Sequence, residues 1–218
     1  MNTLSSETYN VAWFKLADFV ARGEKERALC TYRLLMHSVV DQAFSYQLEG
    51  DILLAFEDDL AFERYHQAAC LYKKDGNIKK AIAVYEHALF FKTDAVLLEA
   101  LLDMYDGLQQ WHNFLTTFMK YAHLMVQNKQ CDKLLQRIHM YTSKHDLSLV
   151  CDMYRFMMVA LMAYDKSHIH FFMYLRQAID TLARLGDAKR IDQFLQIVKN
   201  NDEQIFAQAE KYVAQSLM

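Results

Sequence analysis

Proline is absent from the 218 residues of this chain, and only five residues are glycine. A β-rich protein of this length needs many turns, and tight turns depend heavily on these two residue types. Hydrophobic residues make up 53% of the sequence and charged residues 23%, which is typical of a folded protein rather than a disordered one. We therefore predict an all-α fold in which helices are joined by short loops.

The chain also lacks a large excess of positive or negative charge. Its formal net charge is -3, and no run of lysine and arginine is longer than two residues. This excludes the extended basic surface that nucleic acids and anionic membranes select. The longest dense apolar stretch, 156–163, is shorter than the roughly 18 residues of a membrane helix. The N-terminus lacks the basic start and apolar core of a secretory signal. We expect a cytoplasmic protein that binds neither nucleic acid nor membrane.

Residues that could carry chemistry are scattered. The four cysteines show no C-x-x-C spacing, which favours free, small apolar residues over a disulfide or a metal site. The sequence contains no motif of a nucleotide-binding loop, a zinc protease or a serine hydrolase. Among the nine histidines, only His168 and His170 lie close together in the sequence, next to Asp165. Histidines at i and i+2 diverge on a helix, so a surface turn is favoured over a metal site. We expect no cofactor and no catalytic activity.

The clearest pattern in the chain runs from Tyr65 to Leu89 and predicts a helix, a tight turn and a second helix. Small and aromatic residues share one face of each helix: Tyr65, Ala68, Ala69 and Tyr72 in the first, and Ala81, Tyr85 and Ala88 in the second. Asp75-Gly76-Asn77 separates the two helices. Alanine at a helix crossing allows the two backbones to approach closely, while the tyrosines fill the space beside the contact.

This spacing resembles the tetratricopeptide repeat, a helix pair of about 34 residues with the pattern W-x2-L-G-x2-Y and then A-x3-F. The family's proline is absent, and Thr93 stands near its place. The resemblance covers residues 9–125 and fades over residues 126–218, where degenerate repeats and a capping helix are expected. It implies a right-handed superhelix of antiparallel helix pairs, with roughly twelve helices in a single repeat domain, residues 1–218.

Other parts of the chain follow the same pattern. Trp13, Leu16, Ala17 and Val20 match the first helix of a repeat, and Gly23 ends that helix. Gly50 occupies the close-contact position of the next repeat. The helix predicted over residues 60–74 fits two registers at once, as the second helix of one repeat and the first helix of the next. We infer a slip in the repeat phase here, with this helix packed against neighbours on both sides.

Aromatic residues replace the small ones further on. Trp111, Phe114, Phe118 and Tyr121 follow one another at helical spacing. This stripe favours a buried core over a ligand-binding box.

The resemblance also implies a binding surface, because the first helix of each pair lines the concave face of such a superhelix. The residues that map to this face are Lys15, Asp18, Arg22, Gln47, Asp51, His66, Gln67, Lys73, Lys74, Glu99 and Asp103, followed with a weaker match by Arg176, Asp180 and Arg184. An ordinary solvated face is the competing interpretation. The lysine and asparagine positions of repeats that grip a chaperone's acidic tail hold Phe14 and Asp18 in one register and His66 and Cys70 in the other, so that clamp is not expected.

The function predicted from these observations is a non-catalytic adaptor that binds a protein or peptide in its groove. One alternative is a self-associating assembly subunit, such as a homodimer, that buries Trp111, Phe171 and Phe172 between copies. Another is a helical metal-binding protein or enzyme that uses the degenerate half of the chain.

Overall fold

Every regular element of the described residues, 6–37 and 39–216 of this computed structural model, is an α-helix. Twelve helices lie in that part of the chain: α1 (Ser6–Ala21), α2 (Lys25–Met36), α3 (Gln42–Ala55), α4 (Leu60–Lys74), α5 (Ile78–Phe91), α6 (Ala95–Gly107), α7 (Trp111–Gln127), α8 (Cys131–Thr142), α9 (Leu147–Tyr164), α10 (Phe171–Leu185), α11 (Ala188–Asn201) and α12 (Glu203–Ser216). The all-α prediction and the number of helices are confirmed. The chain divides into two compact units, Met1–Leu97 and Leu98–Met218.

One type of tight turn recurs between helices. Six residues in the described turns adopt positive φ: Gly23, Glu57, Gly76, Gln109, Lys129 and Gly186. At the first five, the N–H of that residue donates to the carbonyl three residues earlier, and the next N–H donates to the carbonyl five residues earlier. This pair of bonds satisfies the last carbonyls of the preceding helix. The turns at Gly23 and Glu57 are separated by about 34 residues, the length of one predicted repeat.

The position of these turns explains the double register of α4. This helix follows the turn at Glu57 and precedes the turn at Gly76, so it is the second helix of one hairpin and the first of the next. It packs against both α3 and α5, which confirms the predicted packing against neighbours on both sides. Helix α7 stands in the same position between the turns at Gln109 and Lys129.

Aspartate side chains cap the first turns of α3 and α9. The carboxylate of Asp41 accepts a hydrogen bond from the N–H of Phe44 at 2.9 Å, and that of Asp146 accepts from Leu149 at 2.8 Å. Each carboxylate thereby satisfies an N–H group of the first helical turn that has no carbonyl partner within the helix.

Consecutive helices pack on one another in the first unit, from α1 to α5. The small residues predicted to allow close approach are fully buried there, namely Ala68, Ala69, Ala81 and Ala88. Gly50 on α3 faces the ring of Tyr65 on α4 so closely that a Cβ at position 50 would lie 2.8 Å from Tyr65 Cε1. Its predicted role at a close contact is confirmed.

Helix α9 is the centre of the second unit and packs against α7, α8, α10 and α11, while α12 covers α10 and α11. By length and composition α9 is also the one described helix that could cross a membrane, although more than half of its residues are buried within the protein. Phe114, Phe118 and Tyr121 of α7 are buried, which confirms them as core residues. Of the aromatics expected at a self-association surface, Trp111 and Phe172 are exposed, whereas Phe171 is only 1% exposed and was wrongly assigned.

Candidate functional site

An open apolar groove lies between α1 and α3, which both pack on α2 but leave space between each other. Its volume is about 410 Å³. The lining side chains come from one face of each helix: Trp13, Leu16, Ala17, Val20 and Ala21 from α1, and Leu48, Asp51 and Ile52 from α3. The α1 residues follow the spacing i, i+3, i+4, i+7 and i+8, so they form a continuous stripe that the neighbouring helices cover only in part.

The depth of the groove follows from the sizes of these side chains. Leu16 and Ile52 are buried at its base, while Ala17 and Ala21 are exposed. Two alanines one helical turn apart leave room for a second helix to approach the backbone of α1. Monomeric proteins rarely leave a continuous apolar stripe uncovered, so the groove is a candidate binding surface.

Asp51 brings a negative charge to the otherwise apolar lining of the groove. One of its oxygens, Oδ1, accepts a hydrogen bond from the Tyr65 hydroxyl at 2.8 Å and lies 3.6 Å from His87 Nε2. Nearly half of the Asp51 side chain is exposed. A carboxylate can accept several hydrogen bonds at once, so Asp51 retains capacity for a cation from a bound partner.

The other residues predicted for the binding face of α1 and α3 do not line this groove. Lys15 is exposed, and Asp18 forms an exposed ion pair with Arg22 at 3.0 Å. Gln47 accepts a hydrogen bond from the hydroxyl of Tyr72 at 3.4 Å.

The predicted residues on α4 have different surroundings. Gln67 bridges two neighbours on its own helix, accepting from Arg64 at 2.8 Å and donating to Glu63 at 3.5 Å. The ring of His66 contacts Tyr85 and Cys70. The side chains of Lys73 and Lys74 are exposed and make no hydrogen bond or ion pair to any described residue.

In the second unit, most of the predicted binding residues connect one helix to another. Glu99 accepts from the Tyr121 hydroxyl at 2.6 Å, and Asp103 accepts from Arg137 and from Tyr141. These contacts join α6 to α7 and to α8.

The same arrangement recurs near the end of the chain. Asp180 accepts from the Tyr212 hydroxyl at 2.9 Å, and the guanidinium of Arg176 lies 5.3 Å from the centroid of the Tyr212 ring. Arg184 is exposed. Half of the fourteen residues predicted as ligands therefore contact a tyrosine of another helix.

Burial and the carboxylate partners act together on these tyrosines. Burial is the main cause that raises the pKa of Tyr65, and the hydrogen bond to Asp51 is the second. The pKa of Tyr121 is raised in the same way, first by burial and then by the hydrogen bond to Glu99. Both phenols therefore remain neutral and donate to the carboxylate across the physiological range. Sequence reasoning placed Tyr65 in the core but had no signal for the partner of its hydroxyl.

The Tyr121–Glu99 contact gives a stability prediction. Tyr121→Phe should lower the free energy of unfolding by about 1.5–3 kcal/mol, because the hydrogen bond to a charged group is lost while the ring stays in place. Glu99→Gln keeps an oxygen that can accept the hydrogen bond, so it should lower the free energy of unfolding by a smaller amount. Urea unfolding monitored by circular dichroism measures both changes.

A matched control comes from Tyr164, whose ring is half exposed and whose hydroxyl has no partner among the described residues. Tyr164→Phe should change the free energy of unfolding by less than about 0.5 kcal/mol. Equal effects of the two tyrosine substitutions would show that the contact with Glu99 does not stabilise the fold.

A larger cleft of about 510 Å³ lies in the second unit beside Trp111 and His145. The carboxylates that line it already have partners within the protein. Asp146 caps α9, and Asp152 pairs with Arg190 at 2.8 Å. His145 Nε2 lies 3.0 Å from Asp106 Oδ1, although the ring N–H does not point at that oxygen. We therefore favour the α1–α3 groove, whose apolar walls stand open, as the candidate functional site.

Among the described residues, no three side chains of histidine, cysteine, aspartate or glutamate come together as a metal site would require. Asp165, His168 and His170 lie in the turn that precedes α10, with the two imidazole centroids 5.9 Å apart.

The sequence matches no protein-family model, and a search of curated proteins found no match. The groove and the packing of the helices are therefore the features from which a function can be inferred.

Proposed function

We propose that this chain is a non-catalytic protein-interaction module of the tetratricopeptide type, which binds a segment of a partner protein in the α1–α3 groove. The observation that carries this proposal is the apolar stripe of α1 facing α3, which the described residues leave partly uncovered. The recurring turns and the packing of adjacent helices support antiparallel helix pairs of this type. The resemblance implies a right-handed superhelix in which the first helix of each pair lines the concave face.

The chemistry of the groove indicates the kind of segment that fits. Apolar walls with exposed alanines favour the apolar face of an amphipathic helix, whose anchors repeat at i, i+3 and i+4. The carboxylate of Asp51 favours a lysine or arginine beside that face. The four free cysteines, two of them exposed, support a reducing compartment such as the cytoplasm.

The proposal predicts site-selective crosslinking to a partner. A photo-reactive amino acid at Ala21, inside the groove, should crosslink a partner in native cell extract. The same probe at Ala83, an exposed alanine on α5 outside the groove, should not. Ala17→Arg places a long charged side chain in the groove, where it obstructs the apolar walls and competes for the Asp51 carboxylate. It should lower the yield at Ala21 about tenfold or more, which corresponds to about 1.4 kcal/mol of binding free energy.

The control for that substitution is Ala83→Arg, which should leave the yield unchanged. Equal crosslinking from both probe positions, or a yield at Ala21 that Ala17→Arg does not alter, would contradict the proposed groove. If the only product is this chain joined to a second copy of itself, self-association replaces partner binding as the function of the groove.

A further inference from the structure

Three polar side chains of the first unit meet where α4 packs against α5. Cys70 Sγ lies 3.6 Å from His66 Nε2, and the hydroxyl of Tyr85 lies 2.9 Å from His66 Nδ1. The Tyr85 hydroxyl is also 3.8 Å from Cys70 Sγ, which closes a triangle of contacts. Cys70 is exposed, His66 is half-buried and the Tyr85 ring is buried.

The two helices hold this cluster in a fixed geometry. His66 and Cys70 are one turn apart on α4, so their side chains lie one above the other on the same face. Tyr85 reaches the imidazole from α5, and burial raises the pKa of its phenol, which therefore remains neutral. A neutral phenol oxygen can accept the N–H of Nδ1, and that tautomer leaves Nε2 free to accept the thiol proton.

We propose that Cys70 is a reactive thiol, with His66 as its general base and Tyr85 as the group that positions the imidazole, and that it exchanges with low-molecular-weight disulfides. A nucleophile within reach of a base that is oriented by a third group is the arrangement that activates thiols. This proposal does not depend on the α1–α3 groove.

The exchange balances without a further oxidant. The Cys70 proton moves to His66 Nε2, and the thiolate sulfur attacks one sulfur of the small disulfide. A new S–S bond forms to Cys70 while the original S–S bond breaks. The leaving thiolate takes the proton from His66, so one thiol and one mixed disulfide replace the original thiol and disulfide.

The other three cysteines serve as internal comparisons. Cys30 is exposed on α2, but its sulfur has no hydrogen-bond partner among the described residues. Cys131 and Cys151 are buried, and burial raises the pKa of Cys131 and raises that of Cys151 to about 11. Buried thiols with raised pKa react slowly because the thiolate is the nucleophile.

The test is a measurement of reaction rate at each cysteine. The full chain is treated near neutral pH with a limiting amount of an uncharged dipyridyl disulfide, and peptide mapping by mass spectrometry gives the modified fraction at each position over time. Cys70 should react about tenfold faster than Cys30, since general-base assistance in a partly exposed site is smaller than the roughly 10²-fold or more seen in active sites.

Variants separate assistance by His66 from simple exposure. His66→Gln should reduce the rate at Cys70 to that of Cys30, and Tyr85→Phe should reduce it by a smaller factor, while the rate at Cys30 stays constant in both. Slow reaction at Cys131 and Cys151 verifies that each variant remains folded. Equal rates at Cys70 and Cys30 in the unmodified chain, or an unchanged rate at Cys70 in folded His66→Gln, would overturn the proposal.

Discussion

Replacing Phe114 with alanine should lower the free energy of unfolding of the second unit by about 3–5 kcal/mol. The Phe114 side chain is completely buried. Its ring lies nearly parallel to that of Phe118, at a centroid distance of 6.2 Å, and meets the ring of Tyr141 edge to face at 5.0 Å. Truncation therefore removes these two aromatic contacts and a third with the ring of Trp111, at a centroid distance of 6.2 Å, and leaves a cavity where α7 meets α8.

The two tryptophans allow this effect to be measured in the unit where it arises. Trp13 belongs to the first unit and Trp111 to the second, so Trp13→Phe leaves Trp111 as the single tryptophan and the fluorescent reporter of the second unit. Urea titrations in that background should show a lower midpoint for Phe114→Ala with a similar slope.

The matched control is Phe172→Ala, the same truncation at a side chain of the second unit that is 42% exposed. We expect a loss of less than about 1 kcal/mol at this position. If both variants lost the same stability, the aromatic stripe of α7 would not be the core that its burial indicates, and the competing interpretation as a ligand-binding box would have to be reconsidered.

Local sequence signals were sufficient to locate the helices. The predicted range 60–74 coincides with α4, because apolar periodicity and flanking polar turns were both present there. Glycine marked the left-handed turns at Gly23, Gly76 and Gly186. Helix periodicity and glycine are short-range features, so a single sequence carries them.

The turns at Gln109 and Lys129 could not be predicted from such local signals. Both residues adopt positive φ although neither is glycine, so no local signal indicated that α7 belongs to two successive hairpins. Packing and the hydrogen bonds of the turn stabilise a backbone conformation that costs these residues roughly 1 kcal/mol or more. Tertiary context decided the local structure at these two positions.

The candidate site could be predicted only in outline. A repeat resemblance indicated α1 and α3, but the groove is lined by Ala17 and Val20, which the resemblance assigned to packing. Conversely, Glu99 and Asp103, which the resemblance placed on the binding face, accept hydrogen bonds from other helices. Sequence spacing specifies which residues share a helical face, whereas the angle between two helices determines whether that face is covered.

Gly50→Val should lower the free energy of unfolding of the first unit by about 2–3 kcal/mol, since overpacking a tight contact outweighs the better helix propensity of valine. A Cβ at this position would lie 2.8 Å from Cε1 and 2.9 Å from Cδ1 of Tyr65. The ring has no room to retreat, because it is fully buried and its hydroxyl is bonded to Asp51. Trp111→Phe leaves Trp13 as the reporter for urea unfolding of this unit.

Two further variants establish that the loss arises from the contact with Tyr65. Ala83→Val introduces the same side chain at an exposed site of α5 and should cost less than about 1 kcal/mol, the difference in helix propensity. Tyr65→Leu removes the ring that the introduced valine would meet, so the double variant Gly50→Val/Tyr65→Leu should lose less stability than the sum of the two single losses. Strict additivity would mean that the close approach of α3 and α4 does not depend on glycine facing this ring.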